Sequence, residues 1–160
     1  MDGEDPAIMA TIIGLLGPDV VRVGSDPADI PHDKGAYLLA LRLDRPVDLF
    51  RRNAGWQVEP GLYVYAGSAY GSGGLKARVA RHLASTKRLH WHIDHLTVGA
   101  ASISALISPG AFECALVERL LASGAFDLPH PGFGSSDCRR CDAHLLRHTG
   151  CSPEAPGVGP

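Results

Sequence analysis

The chain has 160 residues, 45% of them hydrophobic and 20% charged, and a formal charge of -2. That length fits one domain with tails, enough to bury one core without disulfides or oligomerisation. The charge is uneven: residues 1–34 hold seven carboxylates against Arg22 and Lys34, whereas residues 35–150 hold 13 Lys/Arg against nine Asp/Glu. The body is thus mildly basic, which permits nucleic-acid binding without requiring it.

Residues 1–34 form an acidic leader around one apolar run, Ala7–Leu16. Its flank is acidic, where a signal peptide needs a basic start, and the run is shorter than the ~20 apolar residues of a membrane span. The expectation is a soluble, cytoplasmic protein with no membrane partner and with reduced thiols at Cys114, Cys138, Cys141 and Cys151. For the leader the choice between a short docked helix and no stable structure stays open.

Gly35–Leu43 alternates, with Tyr37, Leu39, Leu41 and Leu43 on one face and Ala36, Leu38, Ala40 and Arg42 on the other. Apolar residues on both faces predict a strand covered on both sides. Residues 47–60 read as a polar connection containing Arg51, Arg52 and Asn53, closed by Pro60-Gly61. A second strand, Leu62–Gly67, carries Tyr63 and Tyr65 on one face and pairs antiparallel with the first. Ser68–Gly74 is a glycine-rich turn. Leu75–Ser85 is helical, with Leu75, Val79 and Leu83 as its packing stripe and Arg78 and His82 along the border.

Lys87–His92 is basic and aromatic. Trp91 among Lys87, Arg88 and His92 suits contact with phosphate and a stacked base, and Arg81 points outward beside it. Trp91–Val98 reads as a short helix and Ala101–Ile107 as a third strand. Ser108-Pro109 predicts a helix start, with Phe112, Leu116 and Leu120 buried. Glu113 falls at the edge of that face and could point into a cleft, while Cys114 reads as a small buried apolar residue. Residues 127–137 are loop, Cys138–Thr149 a final short helix and 151–160 a disordered tail. Cys138, Cys141 and His144 have spacing that allows a structural zinc.

The ordered set Gly35-Ala36-Tyr37, Tyr65-Ala66-Gly67, Arg78-x-x-x-His82 and a later glutamate resembles the GIY-YIG nuclease superfamily. The stretches GLYVYAGSA, HWHIDHL, FECAL and FGSSDC resemble more closely its small stand-alone Uri-type endonuclease branch. The resemblance covers roughly residues 35–148. It implies an α/β (α+β) domain over 35–150, with a three-stranded antiparallel sheet flanked by helices, and Mg²⁺- or Mn²⁺-dependent hydrolysis of DNA phosphodiester bonds. It implies catalytic roles for Tyr37, Tyr65, Arg78 and His82, with Glu113 as the metal carboxylate. The motif isoleucines are alanines here (Ala36 and Ala66). The late asparagine of many such nucleases has no counterpart, since the only asparagine is Asn53. That departure motivates the alternative of a non-catalytic nucleic-acid-binding or adaptor domain on the same scaffold, with or without zinc.

Overall fold

The computed structural model describes residues 6–24, 26–51, 54–134 and 140–150. The elements in chain order are α1 (Pro6–Leu16), β1 (Val21–Arg22), β2 (Gly35–Leu43), β3 (Val47–Arg51), β4 (Ala54–Val58), β5 (Gly61–Ser68), α2 (Gly74–Leu83), α3 (His92–Gly99), β6 (Ser102–Pro109), α4 (Glu113–Ala122), β7 (Phe126–Asp127) and β8 (Leu145–His148). The fold is mixed α+β with antiparallel pairing throughout.

The expected three-stranded sheet is the centre of a larger one. Six strands run in the order β1-β6-β2-β5-β8-β7, and β3 with β4 forms a separate hairpin. The central strand β2 is covered on both sides, as its double alternation predicts. Tyr37, Leu39, Leu41 and Leu43 pack with Leu75 and Val79 of α2, Ile93 and Leu96 of α3, and Leu49 and Val58 of the hairpin. Ala36, Leu38 and Ala40 pack with Ile8, Met9, Ile12 and Leu16 of α1 and Leu116, Val117 and Leu120 of α4. The leader therefore supplies a docked helix. Arg119 of α4 holds its far end through Asp19 at 2.5 Å and the Leu15 carbonyl at 3.2 Å.

Three local expectations are overturned. Val47–Arg51 and Ala54–Val58 are paired antiparallel strands and not a connection. Val47, Leu49, Trp56 and Val58 alternate towards the core, a pattern masked by the adjacent arginines. Ser108-Pro109 does not start α4. Ser108 pairs with Ala36, Pro109 pairs with Gly35, and the Ser108 hydroxyl donates to the Asp19 carbonyl at 2.6 Å. The ladder outweighs the local capping preference, so α4 begins at Glu113 and Phe112 is 61% exposed instead of buried. The expected last helix is strand β8. Leu145 serves one core and Leu146 the other, and β5 takes the strand as its partner beyond β2. Among the described residues no helix is long and apolar enough to cross a membrane.

Candidate functional site

Adjacent strands bring the two motif tyrosines side by side. Tyr37 pairs with Gly67, and Leu39 with Tyr65, so both tyrosines lie on the face that α2 covers. Gly67 is required by contact and not by backbone angle. A Cβ there would collide with the hydroxyl end of the Tyr37 ring. Gly67→Ala is expected to destabilise the fold by about 1–3 kcal/mol through overpacking. A urea midpoint unchanged from wild type would show that the ring moves aside freely.

From α2, His82 meets Tyr37. The Tyr37 hydroxyl and His82 Nε2 are 2.8 Å apart and the rings are tilted at 41°. His82 is 1% exposed, not at the border of the packing stripe, and its Nδ1 is buried without a hydrogen-bond partner among the described residues. Burial, reinforced by Lys87, pushes the imidazole down to about 4, so it is neutral at physiological pH. Burial and then the neighbouring Tyr65 raise the Tyr37 phenol well above its ordinary value, against the pull of Arg78. Tyr65 is pushed up to about 12 by burial, with Arg78 lowering it and Glu113 raising it. Tyr37, Tyr65 and Arg78 thus form one electrostatic group, and Glu113 reaches it through Tyr65. Tyr63, on the same face of β5, is a supporting residue whose hydroxyl donates to the Glu59 carbonyl at 2.6 Å.

The basic and aromatic segment has a different arrangement from the outward-facing surface expected. The Arg78 and Arg81 guanidinium carbons lie 4.8 and 4.4 Å from the Trp91 ring centroid. Arg81 also donates two 2.8 Å bonds to Asp94 and one to the Arg88 carbonyl. Lys87 donates to the His82 carbonyl at 2.6 Å and the Thr97 hydroxyl at 3.0 Å. His92 packs edge-on to Trp56 at 5.5 Å. Arg88 is exposed. Arg81, Lys87 and Trp91 therefore hold α2 against α3 and orient Arg78.

Asp94 is a residue that sequence reasoning missed. It is fully buried, and besides Arg81 its carboxylate accepts the His90 and Trp91 backbone amides at 2.8 Å. Burial alone would raise its carboxyl, but Arg81 and the two amides hold it well below the usual range. The available signal was an acidic residue at the third position of a helix, where it can cap backbone amides. A second omission is an exposed aromatic pair. Tyr70 of the glycine-rich turn and Phe112, next to Glu113, stack at 5.2 Å and 14°.

A third group lies by the start of α4. Ligand atoms of Cys114, Cys141 and His144 all fall within 4.8 Å of one another and could hold a metal ion. Cys114 is buried, as expected, but its sulfur belongs to a polar cluster and not to apolar packing. Cys138 lies outside the described residues.

No curated protein and no solved structure matches the chain. A family profile does match, over residues 36–155, which takes in every strand of the site and both helices that supply Arg78, His82 and Glu113. The chain belongs to the family described as Domain of unknown function DUF123.

Proposed function

We propose that the protein is a divalent-metal-dependent endonuclease that hydrolyses DNA phosphodiester bonds. The observation that carries this reading is the Tyr37–His82 bond of 2.8 Å, formed on the sheet face that also carries Tyr65 on the adjacent strand. The resemblance of the ordered motifs to GIY-YIG nucleases supports it.

Each group has a role that its surroundings favour. Arg78 is held over Trp91 and can present a planar pair of N–H donors to phosphoryl oxygens. Tyr37 orients the attacking water. In the tautomer with Nε2 protonated, neutral His82 donates to the oxygen of deprotonated Tyr37, which keeps a lone pair free to take the proton of the water. Tyr65 positions a phosphate oxygen beside Arg78. Glu113 is half-buried and offers hard oxygen donors. One carboxylate with phosphate oxygens and water is a usual set for Mg²⁺ or Mn²⁺, and thiolates are not. Glu113 would hold that ion, which when bound supplies Lewis-acid stabilisation of the leaving oxygen. The exposed Tyr70–Phe112 pair offers a surface on which a base can stack.

The test is incubation of the purified protein with plasmid, single-stranded and branched DNA in Mg²⁺ or Mn²⁺. Cleavage that Glu113→Ala removes is the expected result. Cleavage no greater than that of Glu113→Ala on every substrate overturns the reading. A second reading, a non-catalytic nucleic-acid-binding domain, is favoured by one observation: Tyr37 is only 2% exposed. It predicts salt-sensitive DNA binding that survives Glu113→Ala and Arg78→Ala, with no product formed.

A further inference from the structure

Cys114, Cys141 and His144 come from two distant parts of the chain. Cys114 sits in the first turn of α4, and Cys141 and His144 immediately precede β8. Cys114 and His144 are 8% and 5% exposed, while Cys141 is half-buried. The Cys114 sulfur and His144 Nε2 are 3.8 Å apart. In a zinc tetrahedron with Zn–S near 2.3 Å and Zn–N near 2.05 Å, the S···N edge is about 3.6 Å. The observed spacing is close to that edge.

The surroundings are those of a supported ligand. The His144 backbone is fixed on both sides, its amide donating to the Phe133 carbonyl at 2.8 Å and its carbonyl accepting from the Ala66 amide at 2.9 Å, which places the imidazole for ligation. Gly134, at φ +73°, lies so close to Tyr65 and His144 that a Cβ would approach them to 2.9 and 3.3 Å. One turn further along α4, Glu118 accepts two bonds from Arg140, at 2.6 and 2.8 Å. Helix and loop are therefore docked at two successive levels, and the sulfur–imidazole group is the inner one.

We propose that Cys114, Cys141 and His144 form a zinc site that clamps the N-terminus of α4 to the strand carrying Leu145. Two thiolates and one imidazole form a soft set that selects zinc over magnesium. Binding releases the two thiol protons to solvent, and the remaining tetrahedral position goes to water or another donor. The clamp acts on the residues beside it: Glu113 precedes Cys114 in the chain, and Gly134 backs Tyr65. Zinc here fixes the spacing between Glu113 and Tyr65 whatever chemistry those residues perform.

The test uses the full chain, purified without added metal. About one zinc per chain is expected by elemental analysis. Stripped protein titrated with Co²⁺ should develop thiolate-to-cobalt charge-transfer bands and the intense visible bands of a tetrahedral ion. Cys114→Ser and Cys141→Ser should each weaken the charge-transfer bands, and His144→Gln should shift the visible ones. Zinc far below one per chain, with no thiolate bands on cobalt titration of the wild-type protein, overturns the proposal. So do bands that Cys114→Ser and Cys141→Ser leave unchanged. The wild-type titration decides the matter should the variants fail to fold. These readouts do not depend on DNA cleavage, so a zinc-loaded protein inactive on every substrate would refute the nuclease reading alone.

Discussion

Arg78→Ala is expected to lower the DNA cleavage rate by about 10²–10³-fold, the usual effect of removing one preorganised donor from a developing anion. Arg78→Lys should recover only part of the loss, because an ammonium cannot supply the planar two-donor geometry. Circular dichroism should show both variants folded, since Arg78 contributes its face to Trp91 while Arg81 keeps the ion pair with Asp94. The same site predicts a pH profile. Burial and Tyr65 raise the Tyr37 phenol above its ordinary value. A base of that kind gains reactive form about tenfold per pH unit below its pKa. Cleavage should therefore climb steadily from pH 6 to pH 9, values set by roughly the range in which the fold and metal remain intact. His82, pushed down to about 4, adds no inflection in that range. Tyr37→Phe should remove both the rate and the slope. A flat wild-type profile, or Arg78→Ala cleaving at the wild-type rate, would refute these roles.

The parts legible from sequence are those whose local pattern and long-range role agree. In Gly35–Leu43, alternation alone assigns Tyr37 and Leu38 to opposite cores, because a strand covered on both sides must be apolar on both. Tyr65, Arg78 and His82 are legible because one strand, one turn and one helix fix their relation within a short stretch. Apart from β3 and β4, whose alternation the adjacent arginines obscure, the failures share one cause, a tertiary partner distant in sequence. Ser108 has the composition of a helix cap but is claimed by Ala36 across the ladder. Leu145 and Leu146 suit a helix as well as a strand until β5 offers an open edge. Cys114 lacks any sequence neighbour that marks it as a ligand, since His144 and Cys141 reach it only after β8 has been added to the sheet. The basic segment illustrates the converse. Its composition suits an exposed binding surface, but Asp94, which no charge count singles out, draws Arg81 and the 90–91 backbone inward.

Asp94→Ala should destabilise the fold by about 3–5 kcal/mol, the effect of removing one partner from a buried ion pair. The substitution leaves two guanidinium N–H groups and the His90 and Trp91 amides without their acceptor. Such a loss is a large fraction of the ~5–15 kcal/mol that holds a typical domain together. Asp94→Asn keeps shape and one carbonyl acceptor, so it should be less harmful than alanine. Urea unfolding would order the variants, with Arg140→Ala as a comparison on an exposed pair that should move the midpoint far less than Asp94→Ala. Acid adds a second criterion. A carboxyl held below its unfolded value contributes stability that is complete above about pH 4 and is lost as pH falls further, because the unfolded chain then binds the extra proton. His82 acts earlier with the same sign. Its imidazole is pushed from 6.5 to about 4, so the unfolded state gains protons first and stability declines as pH drops through that interval. Wild-type protein should therefore weaken in two stages, and Asp94→Asn should lose the lower stage while retaining the upper one. An Asp94→Ala midpoint equal to wild type would mean that Arg81 and the two amides find other partners, and that Trp91 is held by packing alone. Arg78 would then owe its position to the Trp91 ring and not to the buried carboxylate behind it.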